Sequence, residues 1–588
     1  MILFDIFYVI LFLFVLYLLL LICYPVIKSK VSSTVLIMIF AVILFLLIIS
    51  YGNVLLNFYL NFYLDFSSEK FIFNNINTFL GFSITPLSFF FSFLVITIGF
   101  STNIYLLNYF KHEADESLFV FWLNSFIFSM IFLVLGSNFY TIFLGWELIG
   151  LSSFFLINFW STRRGTLKSS LKAFTFNLAS DIFLLTSFVC FYKEYNTSDC
   201  EVFLNLVYNT TQISNTLVIG SLFLLLCASI KSVQIISHIW LPDSMEAPVP
   251  ASALIHSATL VSAGIYLICK FNLLFVLLNW TQFLVFVGSL TACYGGIVAS
   301  SQTDLKKLLA YSTMSHCGFL WVLASLGNTY ITILYLFLHG LFKASTFYCV
   351  GTFIYQFGTQ DSRLMGSTTK IFSLDTLLLL FMSSNLSGLP LTVGYLYKFF
   401  FFKLLTYDIL NLFSIILLLL GMLSSLIYFF RVTYYTLFDY YKIIKNNSVY
   451  YTQFVSKEIT SKIRFINFNN FLAVLFILII SAVAGFFFVN MLSYSFNDVN
   501  FEYFFYFKLN NLTNIYIVYY IVFYFLYILF FGIIFVVTFR KNVFFNENII
   551  WLIYLIILVL VKCGVILWQK LVQLQTLTLV SLHINLIY

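Results

Sequence analysis

Several lysines of this chain lie inside stretches that are otherwise apolar enough to cross a membrane. Lys231, Lys343 and Lys398 each lie within a long hydrophobic run, and the pair Lys306 and Lys307 opens another. An unpaired ammonium group in hydrocarbon is costly, so a lysine within a membrane span faces a polar interior and marks a functional site by default. The pattern predicts a protein that moves protons or other ions across a membrane.

The composition is that of a polytopic membrane protein. Of the 588 residues, 62% are hydrophobic and 9% are charged, whereas about a quarter of the residues in a soluble domain are charged. Apolar runs of about 20 residues predict roughly sixteen spanning helices. Basic residues concentrate in alternate connections, which by the positive-inside rule places the N-terminus outside and the basic segment 441–468 inside.

One connection departs from this charge pattern. It lies on the predicted positive side, yet it carries Asp243 and Glu246. Three prolines within residues 242–250 predict that one helix stops there and the next begins. An acidic, proline-rich connection on the basic side indicates a task other than setting the membrane orientation.

Histidines lie on both sides of this break. His238 follows Lys231 by seven residues, a spacing that places both on one face of a helix, and His256 follows the break closely enough to face the same cavity. Each residue also has an ordinary interpretation, which the spacing leaves open. A histidine in a span could be a hydrogen-bonded packing residue, and Lys231 could extend its ammonium to the end of the span.

A carboxylate is predicted in the middle of another span. Glu147 stands between Gly145 and Gly150, small residues that allow two helices to approach closely. A buried carboxylate needs a cationic partner, and Lys231 is available. We therefore expect an ion pair between Glu147 and Lys231.

Two later spans carry further polar residues. His339 and Lys343 are four residues apart, which places them on one helical face. The preceding span opens with the charged and hydroxyl-rich run Asp304–Gly318. The segment Ser387-Gly-Leu-Pro-Leu-Thr-Val-Gly-Tyr-Leu-Tyr-Lys398 is interrupted by glycine and proline, a broken-helix pattern typical of ion sites in transporters.

Four motifs together resemble a known family. They are Gly-Trp-Glu-Leu-Ile-Gly-Leu-Ser-Ser, Trp-Leu-Pro-x-x-Met-Glu-x-Pro-x-Pro-x-Ser-Ala-Leu-Ile-His, Asp-Leu-Lys-Lys-Leu-x-Ala-x-Ser-Thr and His-x-x-Phe-Lys-Ala. In this order, from about residue 86 to residue 400, they are similar to the antiporter-like membrane subunits of the proton-pumping NADH:ubiquinone oxidoreductase, respiratory complex I.

The resemblance implies an all-α fold with two inverted five-helix repeats that contain broken helices. It divides the chain into N-terminal helices at 1–110, a first repeat at 111–270, a second repeat at 271–435 and C-terminal helices at 436–588, where we expect a lateral amphipathic helix that ends early. It also implies a polar axis along the membrane midplane, in which Lys231 and Lys398 are counterparts. The axis residues that the resemblance implies are Glu147, Lys231, His256, Lys343 and Lys398, with His339 as a further member. We add Asp181 and His238 to the candidate site.

Two positions depart from the family pattern. Leu178 replaces an arginine that the family often has three residues before the acidic residue of span six, so we expect Asp181 either to be neutral or to take another partner such as Lys231. Phe399 replaces the acidic residue that usually follows the lysine of span twelve.

The resemblance further implies a proton-translocating subunit without a redox centre or cofactor of its own. NAD, FMN, iron–sulfur clusters and ubiquinone would lie in partner subunits, and the neighbours would be lipids and other membrane-arm subunits, above all the adjacent antiporter-like chain, with no nucleic acid. Residues with A/T-rich codons favour an organelle gene and the mitochondrial inner membrane over a bacterial plasma membrane. The alternatives are a subunit of a multi-subunit cation/proton antiporter and a purely structural membrane anchor.

Overall fold

The computed structural model of the chain describes residues 81–83, 85–110, 115–209, 213–257, 259–327, 329–365, 373–388, 392–394, 398, 412–433, 435–436, 470 and 472–481. Within these ranges every regular element is a helix, accompanied by three isolated β-bridges. The predictions for residues 1–80, 441–468 and 482–588 lie outside the described residues, as does Phe399.

The first part of the described chain runs to residue 277. Its helices are α1 (Pro86–Tyr109), α2 (Glu116–Leu135), α3 (Phe139–Ile157), α4 (Arg164–Tyr195), α5 (Cys200–Asn209), α6 (Asn215–Lys231), α7 (Trp240–Asp243), α8 (Val249–Ser257), α9 (Leu260–Lys270) and α10 (Asn272–Leu277). A short 3₁₀ helix, Ser244–Glu246, follows α7.

The second part begins at residue 281. Its helices are α11 (Thr281–Ser301), α12 (Leu305–Ser325), α13 (Thr329–Phe357), α14 (Ser373–Ser387) and α15 (Leu412–Thr433), with a further apolar helix at Leu472–Ser481. A second 3₁₀ helix, Ser362–Leu364, lies between α13 and α14.

Local sequence determines where α1 begins. Pro86 occupies the first helical turn, where its missing N–H costs nothing. Thr85 and Ser88 form a reciprocal capping box, because the Ser88 N–H donates to Thr85 Oγ1 at 3.2 Å and the Thr85 N–H donates to Ser88 Oγ at 2.8 Å. Two backbone donors that the helix leaves free are thereby satisfied.

Eight helices in the described ranges are long and apolar enough to cross a membrane. This confirms an all-α membrane architecture, whereas the total of sixteen spans stays a prediction. Of the basic residues near the start of α4, Arg164 and Lys168 lie within the helix, which begins at Arg164.

The helices pack both with their neighbours in the chain and with more distant helices. In the first part, α3 lies between α2 and α4, and α4 packs along α6; in the second part, α11 packs along α12 and α15, and α13 packs on α14. Contacts between α8 and α13 join the two parts. Gly145 permits the close approach of α2 and α3, because a Cβ atom there would lie 2.6 Å from Leu133 Cα, whereas at Gly150 the nearest atom would be 3.6 Å away.

Within the described residues, the helical run is broken at three places in the interior. The first break separates α6 from α7, the second lies between α8 and α9, and the third follows Gly388, whose φ is +71°. The first break comes earlier than the prolines predicted, since α6 already ends at Lys231. Consequently Lys231 and His238 are not on one helical face, and that prediction was wrong.

Candidate functional site

Lys231 is completely buried at the C-terminal end of α6. Its Nζ donates a hydrogen bond to the carbonyl oxygen of Trp146 at 2.8 Å and lies 4.4 Å from the centre of the Trp146 ring. Asp181 Oδ1 lies 3.9 Å from the same Nζ. The ammonium is therefore held inside the protein by a carbonyl, an aromatic face and a carboxylate, and it does not extend to the end of the span.

Asp181 is the anionic partner in this cluster. Its side chain is nearly buried, and Ser180 Oγ donates to Asp181 Oδ1 at 3.2 Å. Ser180 in turn accepts a hydrogen bond from the Trp146 indole at 3.3 Å. Leu178 points outward with 42% of its surface exposed. With Leu178 in place of the family's arginine, we expected Asp181 either to be neutral or to take another partner such as Lys231. The structure shows Asp181 beside Lys231.

Glu147 lies elsewhere. It is exposed on the outer face of α3, together with the apolar side chains of Leu144, Leu148 and Leu151. The predictions that Glu147 is buried and that it is the ion-pair partner of Lys231 were wrong, because residue 147 is exposed and the carboxylate within ion-pair distance of Lys231 is that of Asp181. Its neighbour Trp146 was not singled out from the sequence, although a tryptophan beside a carboxylate in a span was a usable signal.

Strained backbone ends α6 at the lysine. Val233 and Ile236 adopt positive φ angles of 58° and 82°, a conformation that β-branched residues rarely adopt and that costs of order 1–3 kcal/mol. Gln234 stabilises the break, because its Nε2 donates to the Ser232 carbonyl at 3.2 Å and its Oε1 accepts from Thr291 Oγ1 at 2.8 Å. Lys231 thus stands at a helix end that neighbouring helices hold in place.

The two histidines near the break have different surroundings. His256 is buried in α8, and its Nε2 lies 3.2 Å from Ser244 Oγ, while its ring is stacked on Phe347 of α13 with centroids 6.1 Å apart. His238 is only half-buried and packs edge-on against Tyr294 at 5.0 Å. His256 therefore faces the junction of the two parts, and His238 lies nearer the surface.

Lys343 and His339 share one face of α13, as predicted from their spacing. Lys343 Nζ donates to the Leu309 carbonyl at 3.2 Å and also to Ser312 Oγ. The His339 ring centre lies 4.6 Å from that of His316 on α12. All three ionisable side chains are buried.

His316 is a member of this cluster that sequence reasoning missed as a site residue. Its Nδ1 lies 2.7 Å from the Tyr335 hydroxyl and its Nε2 lies 3.2 Å from the Tyr428 hydroxyl. The signal was present, because His316 belongs to the polar run that opens α12. A histidine in a span is ambiguous, however, until its neighbours are known.

Lys398 lies beyond the third helix break and is 5% exposed. Its Nζ donates to the Ser387 carbonyl at 2.8 Å and to Ser425 Oγ at 3.1 Å. Gly388 is required here for two reasons. Its φ is positive, and a Cβ atom on it would lie 2.6 Å from Lys398 Cδ.

The acidic connection is explained by local pairing. Asp243 forms an ion pair with Lys172 of α4 at 2.5 Å. Lys306, which is nearly buried at the start of α12, donates to the Ala247 carbonyl at 3.1 Å. These contacts fasten the segment between α7 and α8 to α4 and α12.

In the connection between α13 and α14, the hydrogen bonds from Arg363 lower the pKa of Asp361.

The described residues contain no group of three or more His, Cys, Asp or Glu side chains that could hold a metal ion. What the described residues do contain is a series of buried ionisable side chains that begins at Lys231 and Asp181, passes His256 at the junction, and continues through Lys343, His339 and His316 to Lys398. Hydroxyl groups and backbone carbonyls are the neutral hydrogen-bond partners of these side chains. Groups of this kind exchange protons.

Comparison with known proteins gives many sequence relatives, among them the following three. The "NADH-ubiquinone oxidoreductase chain 5" of Paramecium tetraurelia is 45% identical over 369 residues, which are 61% of this chain and 64% of that protein. The protein of the same name from Acanthamoeba castellanii is 36% identical over 52% of this chain and 47% of its own length. The chloroplastic "NAD(P)H-quinone oxidoreductase subunit 5" of Ipomoea purpurea is 35% identical over 54% and 47%.

A solved structure shares the fold. It is the Mrp complex from Dietzia sp. DQ12-45-1b, with a TM-score of 0.57 and 22% identity, covering 82% of this chain and 56% of that chain. Residues 136–428, which contain all eight predicted site residues, match the family described as "NADH:quinone oxidoreductase/Mrp antiporter, TM". This part of the chain, residues 136–428, therefore belongs to the transmembrane family of NADH:quinone oxidoreductases and Mrp antiporters.

Proposed function

We propose that this chain is the distal, proton-translocating membrane subunit of a respiratory NADH:ubiquinone oxidoreductase, a chain 5, located in the mitochondrial inner membrane. The names of the Paramecium and Acanthamoeba relatives support this assignment. In this proposal the chain moves protons, while NAD, FMN, iron–sulfur clusters and ubiquinone are bound by partner subunits that supply the redox energy.

The observation that carries the proposal is the burial of three lysines within apolar helices. Lys231, Lys343 and Lys398 are at most 5% exposed, and such residues inside a membrane mark proton or ion pathways. A structural anchor has no need to bury three ammonium groups, since hydroxyls and small residues hold helices together at a lower cost.

The lysines are supported in two ways, and this difference suggests a mechanism. Burial disfavours the charged form of a lysine, whereas a nearby carboxylate favours it. Lys231 has Asp181, so it retains a proton while the pair is closed. Lys343 and Lys398 donate to hydroxyl and carbonyl oxygens. These acceptors stabilise an ammonium less than a carboxylate does. Opening of the Lys231–Asp181 pair would release a proton toward His256 and the second part.

Glu147 suggests where the driving force enters. A carboxylate exposed on an apolar helix cannot face lipid without a large cost, so we propose that the neighbouring antiporter-like subunit covers this face of α3. A charge on that subunit would act on Glu147, and the Lys231–Asp181 pair lies on the inner side of the same helix. The other partners that we propose for this chain are further membrane-arm subunits and the lipids of the membrane.

The test is the ratio of protons moved to NADH oxidised by the complete complex in liposomes. Lys398→Ala is expected to lower this ratio and leave assembly intact, because the side chain contacts polar groups of the axis. Lys307→Ala is the matched control, since that lysine is 45% exposed in a surface pair with Asp304. A normal ratio in the assembled Lys398→Ala complex would contradict the proposal.

A second candidate function is a subunit of a cation/proton antiporter without redox coupling. The fold shared with the Mrp complex favours it. Sodium-dependent proton exchange that resists quinone-site inhibitors would support this alternative. Co-purification with NADH-oxidising partner chains would support the respiratory function.

A further inference from the structure

His316 joins two helices that carry different parts of the candidate site. It is completely buried in α12, and both ring nitrogens have a hydroxyl partner. On one side, Nδ1 lies 2.7 Å from Tyr335 of α13, and the ring lies 4.6 Å from that of His339 on the same helix. On the other side, Nε2 lies 3.2 Å from Tyr428 of α15.

Helix α15 continues this connection toward Lys398. Ser425 and Tyr428 are three residues apart, so their side chains lie on the same face of the helix. Ser425 Oγ accepts a hydrogen bond from Lys398 Nζ at 3.1 Å. One face of α15 therefore contacts His316 at one turn and Lys398 at the next.

A small cavity lies beside this face. Its volume is about 20 Å³, its walls are almost entirely apolar, and Ser312 and Tyr428 are among the residues that line it. Ser312 is the partner of Lys343, and Tyr428 is the partner of His316. The two residues that bind Lys343 and His316 through their hydroxyls thus line the same cavity.

We propose that His316 transfers protons between the Lys343 and His339 cluster on α13 and Lys398, by way of Tyr428. The inference rests on the proposed proton-translocating function and adds a residue and a route to it. A neutral imidazole accepts a proton at one nitrogen and releases another from the second. In each transfer one N–H bond forms and the other breaks, which leaves the imidazole in its other tautomer. A flip of the ring, together with rotation of the hydroxyl groups, restores the starting hydrogen bonds.

The opposing interpretation is that His316 is a packing residue with satisfied hydrogen bonds. The substitution His316→Gln separates the two, because an amide also has one donor and one acceptor group but does not carry a proton at neutral pH. We expect the His316→Gln complex to oxidise NADH and to show the same loss in protons moved per NADH as Lys398→Ala. The double variant is expected to lose no more than the poorer single variant, because both residues act on one route.

Met314→Leu is the matched control, since Met314 is buried in the same helix and the exchange nearly conserves volume. An equal loss in this control would assign the effect to packing and overturn the inference. A full ratio in His316→Gln would also overturn it, while a low ratio in Lys398→Ala would still support the proposed function. Should His316→Gln fail to assemble, Tyr428→Phe removes one hydroxyl of the route, and a full ratio there overturns the inference equally.

Discussion

The contact between Lys231 and Asp181 leads to a quantitative prediction. The two charges are 3.9 Å apart, so at an effective dielectric constant of about 20 their attraction is about 4 kcal/mol. This value is an upper bound on their coupling, because the Trp146 carbonyl and ring also hold the ammonium. Residues in direct contact usually couple by about 0.5–3 kcal/mol. We expect a coupling free energy of at least ~1 kcal/mol between Lys231 and Asp181.

The assay is a double-mutant cycle on the rate of proton pumping by the reconstituted complex. Asp181→Asn and Lys231→Met are each expected to impair pumping strongly, and the double variant is expected to be no worse than the poorer single variant. A parallel cycle between Lys231 and Glu147 is expected to give a smaller coupling, because Glu147 lies on the outer face of α3. The pairing of Lys231 with Asp181 would be refuted by additive effects of the Lys231 and Asp181 substitutions together with strong coupling between Lys231 and Glu147. Complexes of normal subunit content serve as the control for assembly.

Two further predictions concern a glycine and a surface carboxylate. Gly388→Ala is expected to cost about 1–2 kcal/mol of stability from its left-handed backbone and also to impair pumping by displacing Lys398. Gly358→Ala, at a φ of +65° with no atom within 4 Å of the added Cβ, should cost similar stability in a thermal melt but leave pumping unchanged. The pKa of Asp361 lies below its ordinary value of 3.8, so its contribution to stability is present above that pH and is lost as the pH falls through the lowered pKa. Acid unfolding of Asp361→Asn should therefore depend less on pH below about 4 than that of the unaltered chain, and an equal dependence would contradict the assigned role of Arg363.

The burial of the lysines was predictable from the sequence because a charge within an apolar run has few stable environments. The spacing of His339 and Lys343 likewise predicted a shared face, since four residues make about one helical turn. Both conclusions depend only on local chain geometry. The helical membrane architecture follows for the same reason, because the bilayer sets the length of an apolar helix.

The partner of Lys231 was not predictable in the same way. Helix α3 is apolar around its whole circumference, so its sequence does not indicate which face packs against the protein and which faces outward. Glu147 and Trp146 are adjacent and therefore point in different directions, and the tertiary contacts of α3 with α4 decide that Trp146 is inside. Asp181 lies on another helix, and its distance from Lys231 depends on the packing of α4 along α6.

The position of the first helix break was also set by tertiary contacts. The prolines of residues 242–250 indicated a break, but α6 ends at Lys231, eleven residues before the first of them. The positive φ angles of Val233 and Ile236 run against the preference of β-branched residues. Such strain persists only where surrounding contacts impose it, and here the Thr291 hydroxyl on α11 holds Gln234 between the two strained residues.

The resemblance implies that Lys231 and Lys398 are counterparts, yet the two lysines lie on opposite sides of a helix break. Lys231 is the last residue of α6, and Lys398 follows a break but donates to the carbonyl of Ser387, the last residue of α14. The last carbonyls of a helix have no partner within it, and its dipole favours a cation there. Each lysine therefore lies at the negative end of a half-helix. That the two lysines are counterparts stays a prediction. What they share in the structure is a place at the end of a helix, which the distance of each lysine from its break in the sequence does not reveal.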